Sequence, residues 1–222
     1  TMNIDPRALS KDGFLKDQDY LVNFPYGRYP TSYNGCGWVA IYNAEHAAGR
    51  GIAAEAVYEA MCSILPYEGT HGTPFPTMVR YFEEQNIPVA RIYGSGEELV
   101  RVVEERQVPR GILRYIEGRE PHYIAFVRVD EEKPARYRFF NAADGKEDFI
   151  ETMECFRREH ICGRRVVRVL LPGEEREDAR ARGKNHIVDA KWSEHLPWRR
   201  VQYSVLRRKN SIESLSGIGR GA

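Results

Sequence analysis

The chain has 222 residues, 42% hydrophobic and 29% charged, a balance that supports a globular core and excludes a disordered chain. Its formal net charge of +1 gives the whole molecule no field with which to gather nucleic acid or an anionic membrane. No apolar run approaches the roughly 20 residues of a membrane span. The opening residues TMNIDPRALSKDGF lack the apolar centre of a signal peptide, so the expectation is a cytoplasmic protein, or a secreted one whose signal peptide has been removed.

Residues 1–35 read as an irregular arm, punctuated by Pro25, Gly27, Pro30 and Gly35. From Gly37 to about Ala48 the spacing is helical, with Val39, Ile41, Tyr42, Ala44 and Ala48 on one broad face and Gly49 and Gly51 as the stop. A second helix is predicted over Ala53 to Leu65 and ends at Pro66. After the loop THGTPFP, a third covers Thr77 to Gln85. The pattern then changes. IPVARIY reads as a strand, Glu97 to Glu105 as a helix, and RGILRYIEG, HYIAFVRVD, ARYRFFNAAD and RRVVRVLLP as further strands, with a helix from Phe149 to Glu159 before the last. Helices first and then strands joined by short links predict an α+β fold with an antiparallel sheet. Residues 173–222 hold eleven Lys or Arg against seven Asp or Glu and read as a charged linker and an extension packing on the domain. Within it WRRVQYSVLRRK interleaves basic and aromatic residues, but a solvated strand face explains that pattern better than a nucleic-acid surface. The Gly-containing end SLSGIGRGA would suit cleavage in cis less well than it suits a loose tail.

The chain has four cysteines, Cys36, Cys62, Cys155 and Cys162. None has CxxC or zinc-finger spacing, so they read as free thiols, and no disulfide framework, metal or organic cofactor is expected. Cys36 differs from the rest. It lies between two glycines, in YNGCGWVAIYNA, at the first turn of the predicted helix. A helix N-terminus favours the thiolate. The flanking glycines would let a substrate backbone approach, and the Cys36 N–H could donate to a developing oxyanion.

Such a nucleophile needs a base and a group to orient it. Of six histidines, His122 is best placed, at the start of a strand directly after Pro121. Asn141 closes the next strand, and antiparallel pairing would bring its side-chain carbonyl to one ring nitrogen of His122. Asp144, before Gly145, is an alternative third member that also suits a turn. Cys62, Cys155 and Cys162 read as packing residues, His46 as a solvated helix position, His71 as a loop residue and Trp38 as a wedge behind the helix. His160, His186 and His195 have no evident partner in the sequence.

With these residues in view, the chain resembles the papain-like cysteine peptidases, and more narrowly the branch that processes bacteriocin leaders ending in a double glycine. Gly-Cys-Gly opens a helix and a second helix follows. GTPFPTMVRYFEEQNIPV resembles that branch's loop, helix and short strand, GILRYIEGREPHYIAFVRVD its His-led strand, and YRFFNAADGKEDFIETMECF its strand, glycine turn and helix. The resemblance covers roughly residues 30–172, the peptidase-like domain being 36–172. It implies a helical lobe carrying Cys36 against a sheet carrying His122 and Asn141, with these three as nucleophile, base and orienter acting on a peptide or protein substrate. The family's glutamine shortly before the cysteine is absent from RYPTSYNG. Asn34 has the same amide chemistry and is the candidate oxyanion donor, with Gln18 a more distant substitute. That departure leaves open hydrolysis, acyl transfer or deamidation by the same dyad, and a catalytically inactive peptide-binding relative.

Overall fold

The computed structural model describes residues 2–117, 120–141, 148–161 and 167–173, all within the unit Thr1–Asn185. The readings made for Asp144, Cys162, His186, His195 and residues 174–222 lie outside the described residues. Six α-helices appear among them: α1 (Thr31–Asn34), α2 (Cys36–Ala47), α3 (Ala54–Ile64), α4 (Phe75–Glu84), α5 (Gly96–Glu105) and α6 (Met153–His160). Two short strands, β1 (Pro25–Tyr26) and β2 (Tyr29–Pro30), form a hairpin ahead of α1. The remaining strands are β3 (Val89–Gly94), β4 (Arg110–Glu117), β5 (Glu120–Arg128), β6 (Arg136–Phe140), β7 (Phe149–Thr152) and β8 (Val167–Pro172). They form one antiparallel sheet in the order β3-β8-β4-β5-β6-β7. The molecule is therefore α+β with an antiparallel sheet, and no helix among the described residues is long and apolar enough to cross a membrane.

The two-residue period of a strand sends alternate side chains to opposite faces, and here both faces are covered. Ile112, Tyr123 and Leu170 join Trp38, Val39, Ile41, Val57, Met61, Met78 and Phe82 in a core beneath α2, α3 and α4. Their chain neighbours Leu113, Ile124, Val169 and Leu171 join Leu99, Val103, Met153 and Phe156 in a second core beneath α5 and α6. The register agrees, with Ile112 opposite Leu170 and Leu113 opposite Val169. α2 is buried along most of its length and packs along β5, which fixes the height of its first residue against the sheet.

One expectation is corrected, and another gains a packing role. Residues 149–152, read as the start of a helix, form edge strand β7 paired with β6, and the helix begins only at Met153. The helical spacing arises because Phe149, Phe156 and His160 stack on one another across the strand–helix junction. Residues 1–35, read as an irregular arm, are short in regular structure but firmly packed. Leu15, Leu21 and Tyr26 are fully buried, and Asn43 of α2 bonds both the N–H and the carbonyl of Leu15, each at 2.8 Å.

The arm also crosses β6. Phe14 stacks on Phe140 at 4.1 Å between centroids, the Arg138 guanidinium lies over both rings, and Arg138 pairs with Asp12 at 2.5 Å and with Asp148. The Arg138 hydrogen bond, working against partial burial and helped by Ser10, holds the Asp12 carboxyl down at about 2. A carboxylate with a lowered folded pKa stabilises the fold above its unfolded value and loses that contribution as pH falls through the folded one. The melting temperature of Asp12→Asn should therefore lie below the wild type at pH 7, with the gap closing between about pH 4 and pH 2. Half-exposure of the Asp12 side chain, at 52%, keeps the effect small and salt-sensitive. A gap that does not change with pH would remove the ion pair from the account.

Candidate active site

Cys36 is the first residue of α2, with Gly35 as its N-cap. Cys36 is partly buried, and as a thiolate its sulfur is placed to accept from the His122 imidazolium and from the backbone N–H groups of Tyr123 and Gly37. Burial is the largest influence on the thiol and opposes its ionisation. The hydrogen bond and positive charge of His122, joined by the two N–H groups, outweigh it, and the Cys36 thiol is held below the ordinary range. Cys62, within α3, behaves oppositely: burial and the Glu59 charge push its thiol up, and the nearby Tyr58 hydroxyl opposes them only in part.

His122 lies third in β5, opposite Tyr115 of β4, whose ring meets the imidazole edge-on at 5.9 Å between centroids. Its Nε2 is 2.7 Å from the main-chain carbonyl oxygen of Asn141. A carbonyl can only accept, so Nε2 carries the proton and donates it. The nitrogen left for the thiol is Nδ1. Asn141 follows the last residue of β6 and has φ +63°, a left-handed conformation that asparagine tolerates better than most residues. It is buried at 2% exposure. The sequence reading placed its side-chain carbonyl on the histidine; in the structure the main-chain carbonyl occupies that place.

The Asn141 side chain points elsewhere, to the arm. Its Oδ1 accepts from the Gln18 backbone N–H at 2.9 Å, and its Nδ2 donates to Gln18 Oε1 at 2.8 Å. Gln18 Nε2 in turn donates to the carbonyls of Thr31 and Ser32 in α1, at 3.3 and 3.1 Å. The next acid along, Asp19, feels the His122 charge, although burial and Asp17 raise its carboxyl overall. The arm thus lies beside His122, which its irregular sequence did not reveal.

Asn34, the expected oxyanion donor, is buried, and its Nδ2 donates to the Gly69 carbonyl at 2.6 Å. One of its two amide hydrogens is therefore spent on bracing the loop after α3. The two glycines flanking Cys36 are also explained from within the molecule. A Cβ on Gly35 would lie 2.4 Å from Thr31 Cγ2 and 2.8 Å from Trp38 Nε1, and one on Gly37 would lie 2.4 Å from Thr73 Oγ1. Side chains of the protein fill the space assigned to a substrate backbone. Thr73 is held in turn by two buried tyrosines, its hydroxyl bonded to Tyr26 Oη and its carbonyl accepting from Tyr123 Oη, each at 3.0 Å.

Trp38 is buried and donates to Thr31 Oγ1 at 3.2 Å. His46, expected on a solvated face, bonds the Asp12 carbonyl at 2.8 Å and stacks with Tyr42. His71 is exposed in the 70–72 loop, and the Cys155 N–H is capped by Thr152 at 3.2 Å. Among the described residues, Glu151, Glu159 and His160 bring metal-capable donor atoms within 4.8 Å of one another. They belong to β7 and the end of α6, elements that contribute nothing to the thiol. No protein-family model matches the chain, and no curated protein matches it.

Proposed function

We propose that the protein is a papain-like cysteine peptidase, nearest in kind to the double-glycine leader peptidases, acting on a peptide or protein substrate. The observation that carries the reading is the His122 imidazole set against the Cys36 sulfur and favouring its thiolate, with Nε2 on the Asn141 carbonyl and the sulfur at the first turn of α2. The Cys36 thiolate attacks the substrate carbonyl carbon. The oxyanion that forms is met by the Cys36 N–H and by the positive end of α2. His122, protonated on both nitrogens once the thiol has ionised, gives its Nδ1 proton to the leaving amine and then takes one from water, which releases the acyl group. The Asn141 carbonyl keeps Nε2 protonated throughout, so both transfers pass through Nδ1. The acyl-enzyme is common to hydrolysis and to transfer onto an amine.

An activated ester tests the chemistry without knowledge of the natural substrate. With p-nitrophenyl acetate, the wild-type protein should release nitrophenolate in a burst, and intact-mass and peptide analysis should find acetyl on Cys36 in preference to Cys62, Cys155 and Cys162. Cys36→Ala should abolish the burst. Equal acetylation of all four cysteines would remove the nucleophile from the proposal.

A further inference from the structure

The arm and the site meet at one pair of side chains. Gln18 and Asn141 form a closed ring of two hydrogen bonds, from the Gln18 N–H to Oδ1 and from Nδ2 to Oε1, between residues 123 positions apart. The far end of the Gln18 amide is anchored on the Thr31 and Ser32 carbonyls, in the turn that leads into Cys36. The Gln18 side chain therefore spans the two halves of the site, the strand end beside the base and the helical turn beside the thiol. Asn141 spends its own amide on this contact and offers His122 only its main chain. A main-chain carbonyl is aimed by the dihedrals of its residue, here in the left-handed region, where a residue with a side chain persists only when its surroundings hold it.

We propose that Gln18 is a positioning residue of the site, gripping the Asn141 side chain so that the Asn141 main-chain carbonyl stays on Nε2 of His122. This rests on the cysteine–histidine reading above. Without Gln18, the buried Asn141 Nδ2 loses its acceptor, and an unpaired buried amide moves to find another. The carbonyl moves with it, the imidazole loses its fixed orientation, and the thiolate loses its partner. Gln18 touches neither sulfur nor imidazole and acts only through Asn141. A double-mutant cycle detects that dependence, because two residues acting through one contact are not additive.

The readout is the pH midpoint for alkylation of Cys36 by iodoacetamide, followed peptide by peptide, with Cys62 as the internal standard for an intact fold. The titratable groups about the thiol are His122, Tyr26 and Tyr123, with Asp19 beside the imidazole, and every Gln18 variant keeps all four residues. Gln18→Met keeps the length of the side chain and removes the amide, and Gln18→Ala removes both. Each should raise the midpoint by about half to one pH unit, a threefold to tenfold loss of rate below it, with Cys62 unchanged. In an Asn141→Gly background, which keeps the left-handed backbone and its carbonyl, adding Gln18→Met should change nothing further. If both Gln18 variants alkylate with the wild-type midpoint while His122→Ala does not, Gln18 is only a packing residue and the inference is overturned. If the wild-type Cys36 shows no advantage that His122→Ala removes, the catalytic reading has failed and the inference with it.

Discussion

Replacing His122 with alanine is expected to cut iodoacetamide alkylation of Cys36 at pH 6.5 by roughly tenfold or more. Two influences oppose each other at the sulfur. Burial drives the thiol toward its neutral form, and the His122 imidazole, with the N–H groups of Tyr123 and Gly37, overcomes it. Removing the imidazole leaves burial opposed only by two backbone donors, so the thiol should rise to its ordinary value of about 8.5 or above. A thiol at that value is roughly 1% ionised two pH units below it, and only the ionised fraction reacts. The sign is specific: the loss is largest in acid, shrinks as pH climbs, and vanishes where both proteins are fully ionised. A loss constant across pH would mean that the alanine had changed access to the sulfur and not its charge. Cys62, far from His122 in its interactions and held up by burial and Glu59, should react equally in both proteins.

The second large effect is expected from Gly37→Ala. On an ordinary helix this change gains up to about 1 kcal/mol of propensity. Here the new methyl carbon would fall 2.4 Å from Thr73 Oγ1 and 2.5 Å from Thr73 Cβ. Thr73 cannot give way easily, because Tyr26 and Tyr123, on different elements, each hold it by a hydrogen bond. Overpacking of this kind costs about 1–3 kcal/mol, enough to outweigh the gain and lower the melting temperature by several degrees. Cys36 should lose reactivity with it, since the start of α2 has to move. Putting glycine at 73 in the same protein vacates the contested space and should return part of the stability. A glycine kept for a substrate's approach would behave otherwise: the alanine variant would melt as the wild type does and fail only in turnover.

That contrast marks the limit of what the sequence made legible. Cys36 at a helix start, His122 near the start of a strand and Asn141 at the end of the next were all readable, because each depends on local pattern and on neighbouring strands pairing. The role of the glycines was not, because the atoms they make room for, in Thr31, Trp38 and Thr73, are close only after folding. The same holds for the arm. Leu15, Gln18 and Asp12 carry no periodicity, and their partners Asn43, Asn141 and Arg138 are distant in the chain. β7 was hidden for another reason, since the aromatic stack running from Phe149 to His160 mimics the spacing of one continuous helix. Asn141 meets His122 through its main-chain carbonyl and not through the side chain: residue type points to side-chain chemistry and is silent about a carbonyl that every amino acid possesses.

The order of strands in the sheet has a consequence for how the molecule is made. β8 is the last strand among the described residues yet lies between β3 and β4. Until residues 167–172 leave the ribosome, β3 has no neighbour and the outer edge of β4 is bare. The four strands β4 to β7 follow one another and can zip up as they emerge, carrying His122 and Asn141 with them, while Cys36 has already been synthesised. Closure of the sheet waits on one late, long-range insertion, the kind of step that slows folding. During that wait two unpaired strand edges are open to other chains. A nascent protein of this design has Cys36, His122 and Asn141 before it has its finished scaffold, and its yield in a cell should depend on how well those edges are shielded.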